Sequence, residues 1–389
     1  MIINTAKRLE SVKEYYFSRK LREIAQLNAD GQDIINLGIG SPDMAPSEEA
    51  RELLGAQAVK ADGHGYQSYK GLPALRTAMA AFYQKFYGVT LDADSEVLPL
   101  MGSKEGIMHL SMAFLDKGDV VLVPDPGYPT YTSVSRLVEA NVQTYDLLES
   151  NNWLPDLKAL EQTDLSAVKI MWINYPNMPT GTNASKRLFE ELVAFAERNQ
   201  ILLINDNPYS LVLNDNPMSI LSIEGAKEVA LELNSLSKSH NLAGWRVGML
   251  MGGSDYISAV LKVKSNMDSG MFKGIQMGAI AALEQPNSWH NERNAVYTKR
   301  LYFAHEIMKE LNCYVGENQS GMFLWAKIPD WAKSGEAFSE YILDNSRVFI
   351  TPGFIFGKNG DRYIRIALCS SEKTLEEAFN RIRLLFAIA

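Results

Sequence analysis

The chain has 389 residues, of which 46% are hydrophobic, so it is long enough to bury a large core and to form more than one domain. Its formal net charge of -8 disfavours non-specific binding to nucleic acid or to anionic membranes and indicates small-molecule partners. Only two cysteines occur, Cys313 and Cys369, and neither belongs to a CxxC pair, which argues against a disulfide framework and against a zinc site.

The first twenty residues mix charged and aromatic side chains without an apolar core, so they are not typical of a signal peptide. No stretch has the length of uncharged apolar sequence that a membrane span requires. We therefore expect a cytoplasmic protein that binds neither membranes nor nucleic acid. The five histidines are scattered, with no pair at a metal-ligand spacing, and no metal site is predicted.

The middle of the chain alternates short apolar segments with longer helical patterns. The clearest helix is predicted over Ser185 to Asn199, where apolar residues fall on one face and charged residues on the other. Short apolar runs predict buried strands at Val120–Val123, Lys169–Ile173, Ile201–Ile204, Val229–Leu233 and Val247–Met251. This alternation predicts an α/β fold, with a mostly parallel sheet covered by helices and joined by right-handed crossovers.

The pattern changes near residue 285. A long helical stretch through Tyr297–Leu311 is followed by strand-like segments at Met322–Ile328, Val348–Ile350 and Tyr363–Ala367, which predict a smaller α+β domain. The start of the chain is expected to pack with this domain, because chain ends commonly lie close together in compact folds. The predicted division is therefore a large domain of residues 46–285 and a small domain of residues 1–45 and 286–389.

Polar residues follow several of the predicted strands. Asn174 and Asp206 each come directly after an apolar run, and a third run is followed by the segment from Ser235 to Gly248. Ligands of open α/β sheets bind beyond the carboxyl ends of the strands, so these residues are candidates for a binding site.

The segment from Ser235 to Gly248, SLSKSHNLAGWRVG, resembles the Schiff-base signature of the class I and II aminotransferases, which depend on pyridoxal phosphate (PLP) and have fold type I. Chemistry accounts for its spacing, because an uncharged lysine amine must reach an aldehyde while arginine and hydroxyl groups hold a phosphate. The resemblance implies that Lys238 carries PLP and that Ser235, Ser237 and Arg246 contact its phosphate.

Three further stretches are similar to cofactor-binding parts of the same family. Gly102-Ser103-Lys104 opens a helical pattern with Ser103 as a candidate N-cap, so that free backbone amides could accept a phosphate. Tyr128, in Asp-Pro-Gly-Tyr-Pro, corresponds to the residue that stacks on the pyridine ring. Tyr66 corresponds to a tyrosine that reaches the phosphate in the neighbouring subunit, which implies a homodimer with shared active sites.

The Asp206-Asn207-Pro208-Tyr209 stretch resembles the Asp-x-x-Tyr element of the family. It implies that Asp206 lies beside the pyridine nitrogen and Tyr209 beside the phenolic oxygen, and that both act with Lys238 in catalysis. One departure from the family concerns its Asn-Pro-Thr-Gly turn, where Met178 replaces the asparagine that bonds the phenolic oxygen. Asn174 or Asn177 is expected to bond that oxygen instead.

Two positions are similar to substrate-binding residues of the family. Arg365 matches the arginine that pairs with the α-carboxylate of the substrate, a role suited to its planar fork of donors. Gly38 belongs to a loop that closes over the substrate. That loop lacks the third glycine of a dinucleotide fingerprint, which argues against a nicotinamide cofactor there.

Taken together, the resemblance implies an enzyme that moves an amino group from an L-amino acid to a 2-oxo acid, either 2-oxoglutarate or pyruvate, by a ping-pong reaction through pyridoxamine phosphate. The motifs look most like the branch that includes the alanine, LL-diaminopimelate and aspartate aminotransferases. Three alternatives stay open at this point: a PLP-dependent C–S β-lyase, an acyltransferase of the oxoamine synthase type, and a non-catalytic regulatory module with the same fold. The first would use almost the same cofactor residues.

Overall fold

A computed structural model describes residues 3–12 and 14–387 of the chain. Its α-helices are α1 (Tyr16–Ala29), α2 (Glu48–Ala58), α3 (Pro73–Tyr87), α4 (Ser103–Phe114), α5 (Pro129–Leu137), α6 (Leu157–Leu160), α7 (Lys186–Asn199), α8 (Ala226–Val229), α9 (Leu236–Ser239), α10 (Ser254–Lys264), α11 (Lys273–Leu283), α12 (Asn287–Glu310), α13 (Gly335–Ser346) and α14 (Glu372–Ala387). Its strands are β1 (Ile35–Asn36), β2 (Val97–Leu100), β3 (Val120–Asp125), β4 (Asn141–Asp146), β5 (Val168–Ile173), β6 (Leu202–Asp206), β7 (Ala230–Ser235), β8 (Gly248–Gly252), β9 (Tyr314–Val315), β10 (Phe323–Lys327), β11 (Val348–Phe349), β12 (Thr351–Pro352) and β13 (Tyr363–Ala367).

A seven-stranded sheet with the order β2-β8-β7-β6-β5-β3-β4 forms the centre of the larger part. Strands β4, β3, β5, β6 and β7 run parallel, whereas β8 is antiparallel to both β7 and β2. The predicted α/β fold with a mostly parallel sheet is therefore confirmed. The sequence did not predict β2, which contains Pro99, or β4, a largely exposed strand without an apolar run.

Both faces of this sheet are covered, which explains why its strands read as continuous apolar runs. In β5, Ile170 and Trp172 pack on the face that carries α4, α5 and α10. Met171 and Ile173 point to the opposite face, which carries α3, α7 and α11. The helix α7 occupies the predicted segment and begins after Ser185, whose side chain accepts a hydrogen bond from the backbone N–H of Leu188.

The smaller part contains an antiparallel sheet with the order β12-β13-β10-β9 and a parallel pair of β1 with β11. A separate apolar cluster joins residues from both ends of the chain, among them Leu37, Tyr297 and Ile364. This is the predicted smaller α+β domain. Helix α12, which leads into it, begins well before the segment predicted from the sequence.

The carboxyl ends of the parallel strands bring the polar residues to one edge of the large sheet. Asp206 is the last residue of β6, Ser235 is the last residue of β7, and Asn174 directly follows β5. Because these three strands are neighbours, their polar ends lie side by side. No helix within the described ranges is long and apolar enough to cross a bilayer.

Candidate active site

A cavity of about 520 Å³ opens at this edge of the sheet, next to the smaller sheet. Most of the candidate residues from the sequence lie in its wall, namely Ser103, Lys104, Tyr128, Asn174, Asp206, Tyr209, Ser235, Ser237, Lys238, Arg246 and Arg365. Residues that are far apart in the chain thus meet in one place, as expected from the positions of the strand ends.

Two of the remaining candidates contact residues of this wall. Gly102 lies beside Arg246, and a Cβ atom at Gly102 would overlap Nη2 of Arg246. The carbonyl oxygen of Gly38 accepts a hydrogen bond of 3.1 Å from Nη2 of Arg365. Backbone at both glycines therefore approaches an arginine side chain of the cavity closely.

Asn177 and Tyr66 lie outside the wall. Asn177 is buried, and its side-chain oxygen accepts a hydrogen bond of 2.8 Å from the hydroxyl of Thr180. Tyr66 is 92% exposed in the single chain, so it contributes nothing to the cavity of its own subunit. Of the two asparagines expected to act in place of the one that Met178 replaces, the structure brings only Asn174 to the cavity.

Lys238 lies on the short helix α9, directly after β7. Ser235 caps this helix by accepting a hydrogen bond of 3.1 Å from the backbone N–H of Ser237. The amine of Lys238 donates to the carbonyl oxygen of Gly40. Burial lowers the pKa of this amine, and the guanidinium groups of Arg365 and Arg246 lower it further, which favours the uncharged, nucleophilic form.

Donors for an anion converge near the start of α4. Gly102, with a φ of +88°, is the N-cap of this helix, so the prediction that Ser103 is the N-cap was wrong and Ser103 is its first residue. The positive φ explains the difference, because glycine adopts that conformation most readily. Nη1 of Arg246 lies 3.5 Å from the hydroxyl oxygen of Ser237, and the helix N-terminus and the guanidinium thus face the same corner.

Asp206 is a buried residue of the same wall. Its Oδ2 accepts a hydrogen bond of 2.8 Å from the hydroxyl of Tyr131, while its Oδ1 has no partner among the described residues. Burial raises the pKa of this carboxyl to about 6, and the hydrogen bond from Tyr131 opposes that rise. The free oxygen is available to a cationic or protonated group of a ligand.

Arg365 is also buried, although no carboxylate of the described residues lies within reach of it. Its guanidinium carbon lies 3.9 Å from the ring centre of Phe323 and 4.6 Å from that of Phe356. Burial lowers its pKa to about 10, which leaves the group charged at neutral pH. A buried and unpaired cation of this kind is suited to binding an anionic substrate group.

Comparison with known proteins agrees with this geometry. The family model of the class I and II aminotransferases matches residues 32–382. An LL-diaminopimelate aminotransferase from Dehalococcoides mccartyi is 40% identical over 379 residues, which make up 97% of each chain. The apo structure of BacF from Bacillus subtilis is 35% identical, with a TM-score of 0.94 and coverage of 98% of both chains. A probable N-succinyldiaminopimelate aminotransferase from Thermus thermophilus is 32% identical, with a TM-score of 0.89, and the match covers 95% of this chain and 100% of that one.

The chain belongs to the class I and II aminotransferases. It is a PLP-dependent aminotransferase of fold type I, in the branch that the sequence motifs indicated. These matches give no support to the β-lyase, acyltransferase or regulatory alternatives.

The donors of the aminotransferase cavity fit PLP. Arg246 and the N-terminus of α4 suit a phosphate, and the amine of Lys238 suits an aldehyde. The free oxygen of Asp206 suits a protonated pyridine nitrogen. The cavity therefore has a suitable group for the phosphate, for the aldehyde and for the pyridine nitrogen of the cofactor.

Sequence reasoning missed two buried residues that act on Asp206. Tyr131 donates to its carboxylate and stacks on Trp172, with ring centres 4.8 Å apart. Glu232 on β7 also raises the pKa of Asp206 through its charge. Neither residue follows a strand end, and the sequence carries no signal that would have singled them out.

The cavity wall also contains the aromatic residues Tyr15, Tyr16 and Phe17 from the start of the chain. The sequence predicts only that this segment packs with the smaller domain, and it assigns none of these three residues to a site. A run of three aromatic residues at the start of a charged helix is the signal that could have indicated a contact surface there.

Glu105, His109 and Asp268 form the one group of three possible metal ligands found among the described residues. Both carboxylate oxygens of Asp268 already accept hydrogen bonds from the amine of Lys264, at 2.9 and 2.7 Å. We assign no metal to this group, and the absence of a metal remains a prediction from the sequence.

Proposed function

We propose that Lys238, Asp206 and Tyr209 form the catalytic set of this aminotransferase. When bound, PLP supplies an electron sink for the negative charge that develops at the substrate Cα. Lys238 takes the Cα proton and later returns a proton, a role that suits its lowered pKa. Asp206 holds a positive charge at the pyridine nitrogen. The observation that carries this proposal is the half-buried amine of Lys238 in the same cavity as the free oxygen of Asp206.

The remaining cofactor interactions are proposed from the positions of the residues in and around the cavity. We assign the phosphate to Gly102, Ser103, Lys104, Ser235, Ser237 and Arg246. Tyr128 is proposed to stack on the ring, and Tyr209 to bond its phenolic oxygen. Since Met178 cannot donate to that oxygen, we favour Asn174 over Asn177 as the donor, because only Asn174 lies in the wall.

We propose that Arg365 and the backbone of the Gly38 loop bind the substrate α-carboxylate. This interaction orients the Cα–H bond towards Lys238, which favours proton transfer over decarboxylation. The acceptor is proposed to be 2-oxoglutarate or pyruvate in a ping-pong reaction. LL-diaminopimelate, named for the relatives, is one candidate donor.

A homodimer with shared active sites is also proposed, in which Tyr66 reaches the phosphate of the partner subunit. The 92% exposure of Tyr66 in the single chain supports this role. A complementation experiment tests it. A mixture of refolded Lys238→Ala and Tyr66→Ala chains should regain activity, because the hybrid dimer holds one intact site. A mixture no more active than its components would contradict shared sites.

The domain division at residues 46 and 285 and the cytoplasmic location remain proposals. The smaller apolar cluster, which joins both chain ends, supports the division. Cys313 and Cys369 are both free, which supports a reducing compartment.

The catalytic assignment is tested by chemical trapping. Borohydride reduction of the holoenzyme, followed by peptide mass spectrometry, should place the cofactor on Lys238. The Lys238→Ala variant should lose the visible absorbance and the transamination activity, whereas Lys262→Ala, an exposed lysine on α10, serves as the matched control. Cofactor found on another lysine would overturn the assignment.

A further inference from the structure

The surroundings of Arg365 bear on which amino acids the enzyme accepts. The α-carboxylate and the side chain of an amino acid share one carbon atom, so a carboxylate held at Arg365 places the substrate side chain next to the neighbours of Arg365. This step rests on the proposed role of Arg365. The groups around that guanidinium therefore determine what side chain fits.

Those groups are apolar and largely aromatic. The ring centres of Phe323, Phe356 and Phe17 lie 3.9, 4.6 and 6.0 Å from the guanidinium carbon of Arg365. Met178 adds its thioether, and Ile355 adds a half-buried aliphatic side chain to the same cavity. Phe323, Phe356 and Met178 are each at most 6% exposed, so these three side chains are largely removed from solvent.

The charged residues of the cavity wall also favour a substrate side chain without a positive charge. Asp206 is the only acidic residue in the wall among the described residues, and its role is assigned to the cofactor. Lys104, Arg246 and Arg365 are cationic residues of the same wall. Glu340, which accepts from the Tyr16 hydroxyl at 3.3 Å, is not part of the wall and is paired with Lys20 at 2.7 Å.

A substrate side chain that ends in an ammonium group would thus meet cations and phenyl rings without a carboxylate. Burying an unpaired charge is strongly unfavourable, whereas an aromatic or aliphatic side chain gains free energy in the same place. A distal carboxylate is a different case, since the wall contains no acidic residue other than Asp206 among the described residues to repel it. The wall therefore discriminates against distal cations rather than against distal anions.

We propose that this aminotransferase takes amino acids with an aromatic or long aliphatic side chain as donors, and discriminates against lysine and other substrates whose only distal charge is an ammonium group. Phe17, Phe323, Ile355 and Phe356 are the specificity-determining residues. Phe17 comes from the start of the chain, and the other three come from its last quarter. The part of the wall that faces the substrate side chain is therefore formed by the smaller domain.

Half-reactions of the purified holoenzyme with single amino acids test this proposal. Each half-reaction is monitored by the loss of the visible absorbance of the bound cofactor. Norleucine and lysine form the matched pair, since both side chains have four carbon atoms and lysine carries an additional ammonium group on the last of them. The specificity constant kcat/KM should be at least about 10²-fold higher for norleucine than for lysine, and phenylalanine should exceed lysine by a similar factor. Lysine reacting as fast as phenylalanine would overturn the proposal, including the case in which a second subunit supplies an acid.

A binding measurement gives a readout apart from turnover. Calorimetric titration of the holoenzyme should find hexanoate and 3-phenylpropanoate bound at least about 10-fold more tightly than 6-aminohexanoate. Equal affinities would contradict the apolar wall. Absence of a reaction with every amino acid, together with absence of the visible absorbance, would instead refute the proposed function on which the inference rests.

Variants at Ile355 locate the effect. Ile355→Asp supplies a carboxylate for a distal ammonium, and should lower the norleucine-to-lysine ratio by about 10-fold or more. The asparagine of Ile355→Asn has nearly the same size as the aspartate but no charge, so this variant should leave the norleucine-to-lysine ratio within about 2-fold of the wild-type value. Identical ratios in the two variants would show that this wall does not contact the substrate side chain.

Discussion

Nη1 of Arg365 lies 3.3 Å from the sulfur of Met178, so the arginine that is proposed to bind substrate faces a thioether where the family has an amide. Met178 is only 5% exposed and lies in the cavity wall. The backbone N–H of Met178 donates to Oδ1 of Asn174 at 2.7 Å. The substitution thus changes the polarity of the site without moving the turn away from it.

Restoring the amide should change the electronic state of the bound cofactor. The side chain of Met178→Asn can donate a hydrogen bond to the phenolic oxygen, which favours the charged form of that oxygen. We expect the pKa of the lysine–cofactor chromophore to fall by about 0.5–1 unit, as measured by absorbance titration of the holoenzyme. Met178→Leu preserves the volume without a donor and should leave this pKa unchanged. Coincident titration curves for the two variants would rule out a contact between position 178 and the phenolic oxygen.

The second prediction concerns the glycine at the start of α4. Gly102→Ala would put a Cβ atom against Nη2 of Arg246 at a residue whose φ is +88°. The methyl group must displace the guanidinium, so PLP affinity should fall by about 10-fold or more, which corresponds to losing one charge-assisted hydrogen bond. Equilibrium dialysis of the apoenzyme with PLP measures the effect. Gly244→Ala is the matched control, because a Cβ atom there has no neighbour within 4 Å, and similar affinity in both variants would contradict the role of this contact.

Glu232 provides a stability test away from the cavity. Its carboxylate accepts four hydrogen bonds, from Tyr83, Asn205, Asn207 and the backbone N–H of Ile220, at 2.9 to 3.2 Å. Glu232→Gln replaces one accepting oxygen by a donor, which leaves buried donors unpaired and should lower the free energy of unfolding by about 1–3 kcal/mol. Chemical denaturation of the apoenzyme measures this loss. Tyr83→Phe removes one donor only, and a larger loss in that variant than in Glu232→Gln would contradict the account.

Much of the fold was predictable because local patterns coincide with burial. The helix after Ser185 has apolar residues at the helical period that its packing requires, and the strand that ends at Ile173 is the short apolar run expected of a strand covered on both faces. Strand β4 does not, since it is an exposed edge held by pairing with β3 rather than by its own apolar residues. The antiparallel direction of β8 depends on the path of the chain between β7 and β8. A short apolar run predicts a strand but does not predict its direction.

The candidate site divides in a similar way. Lys238 and Asp206 were predictable because parallel strands place their post-strand residues at one edge. Tyr131 is 75 positions away from Asp206 in sequence, and their hydrogen bond depends on how α5 packs against the sheet. Phe17 and Phe356 likewise meet at Arg365 only through the packing of the two chain ends.

The last prediction concerns the pH dependence of the apoenzyme. Burial raises the pKa of Asp206 to about 6 from an ordinary value of 3.8, so the folded state holds this proton more tightly than the unfolded state. The free energy of unfolding should therefore fall as the pH rises from about 4 to about 6, by about 2–3 kcal/mol from this group alone. Asp206→Asn carries no titrating group and still accepts from Tyr131, so it should lack this part of the slope. Denaturant midpoints at pH 4.5 and pH 7 measure the difference, and parallel profiles for wild type and Asp206→Asn would show that Asp206 is not desolvated. Tyr131→Phe removes the hydrogen bond that lowers the pKa of Asp206, and its slope should be steeper and extend to higher pH.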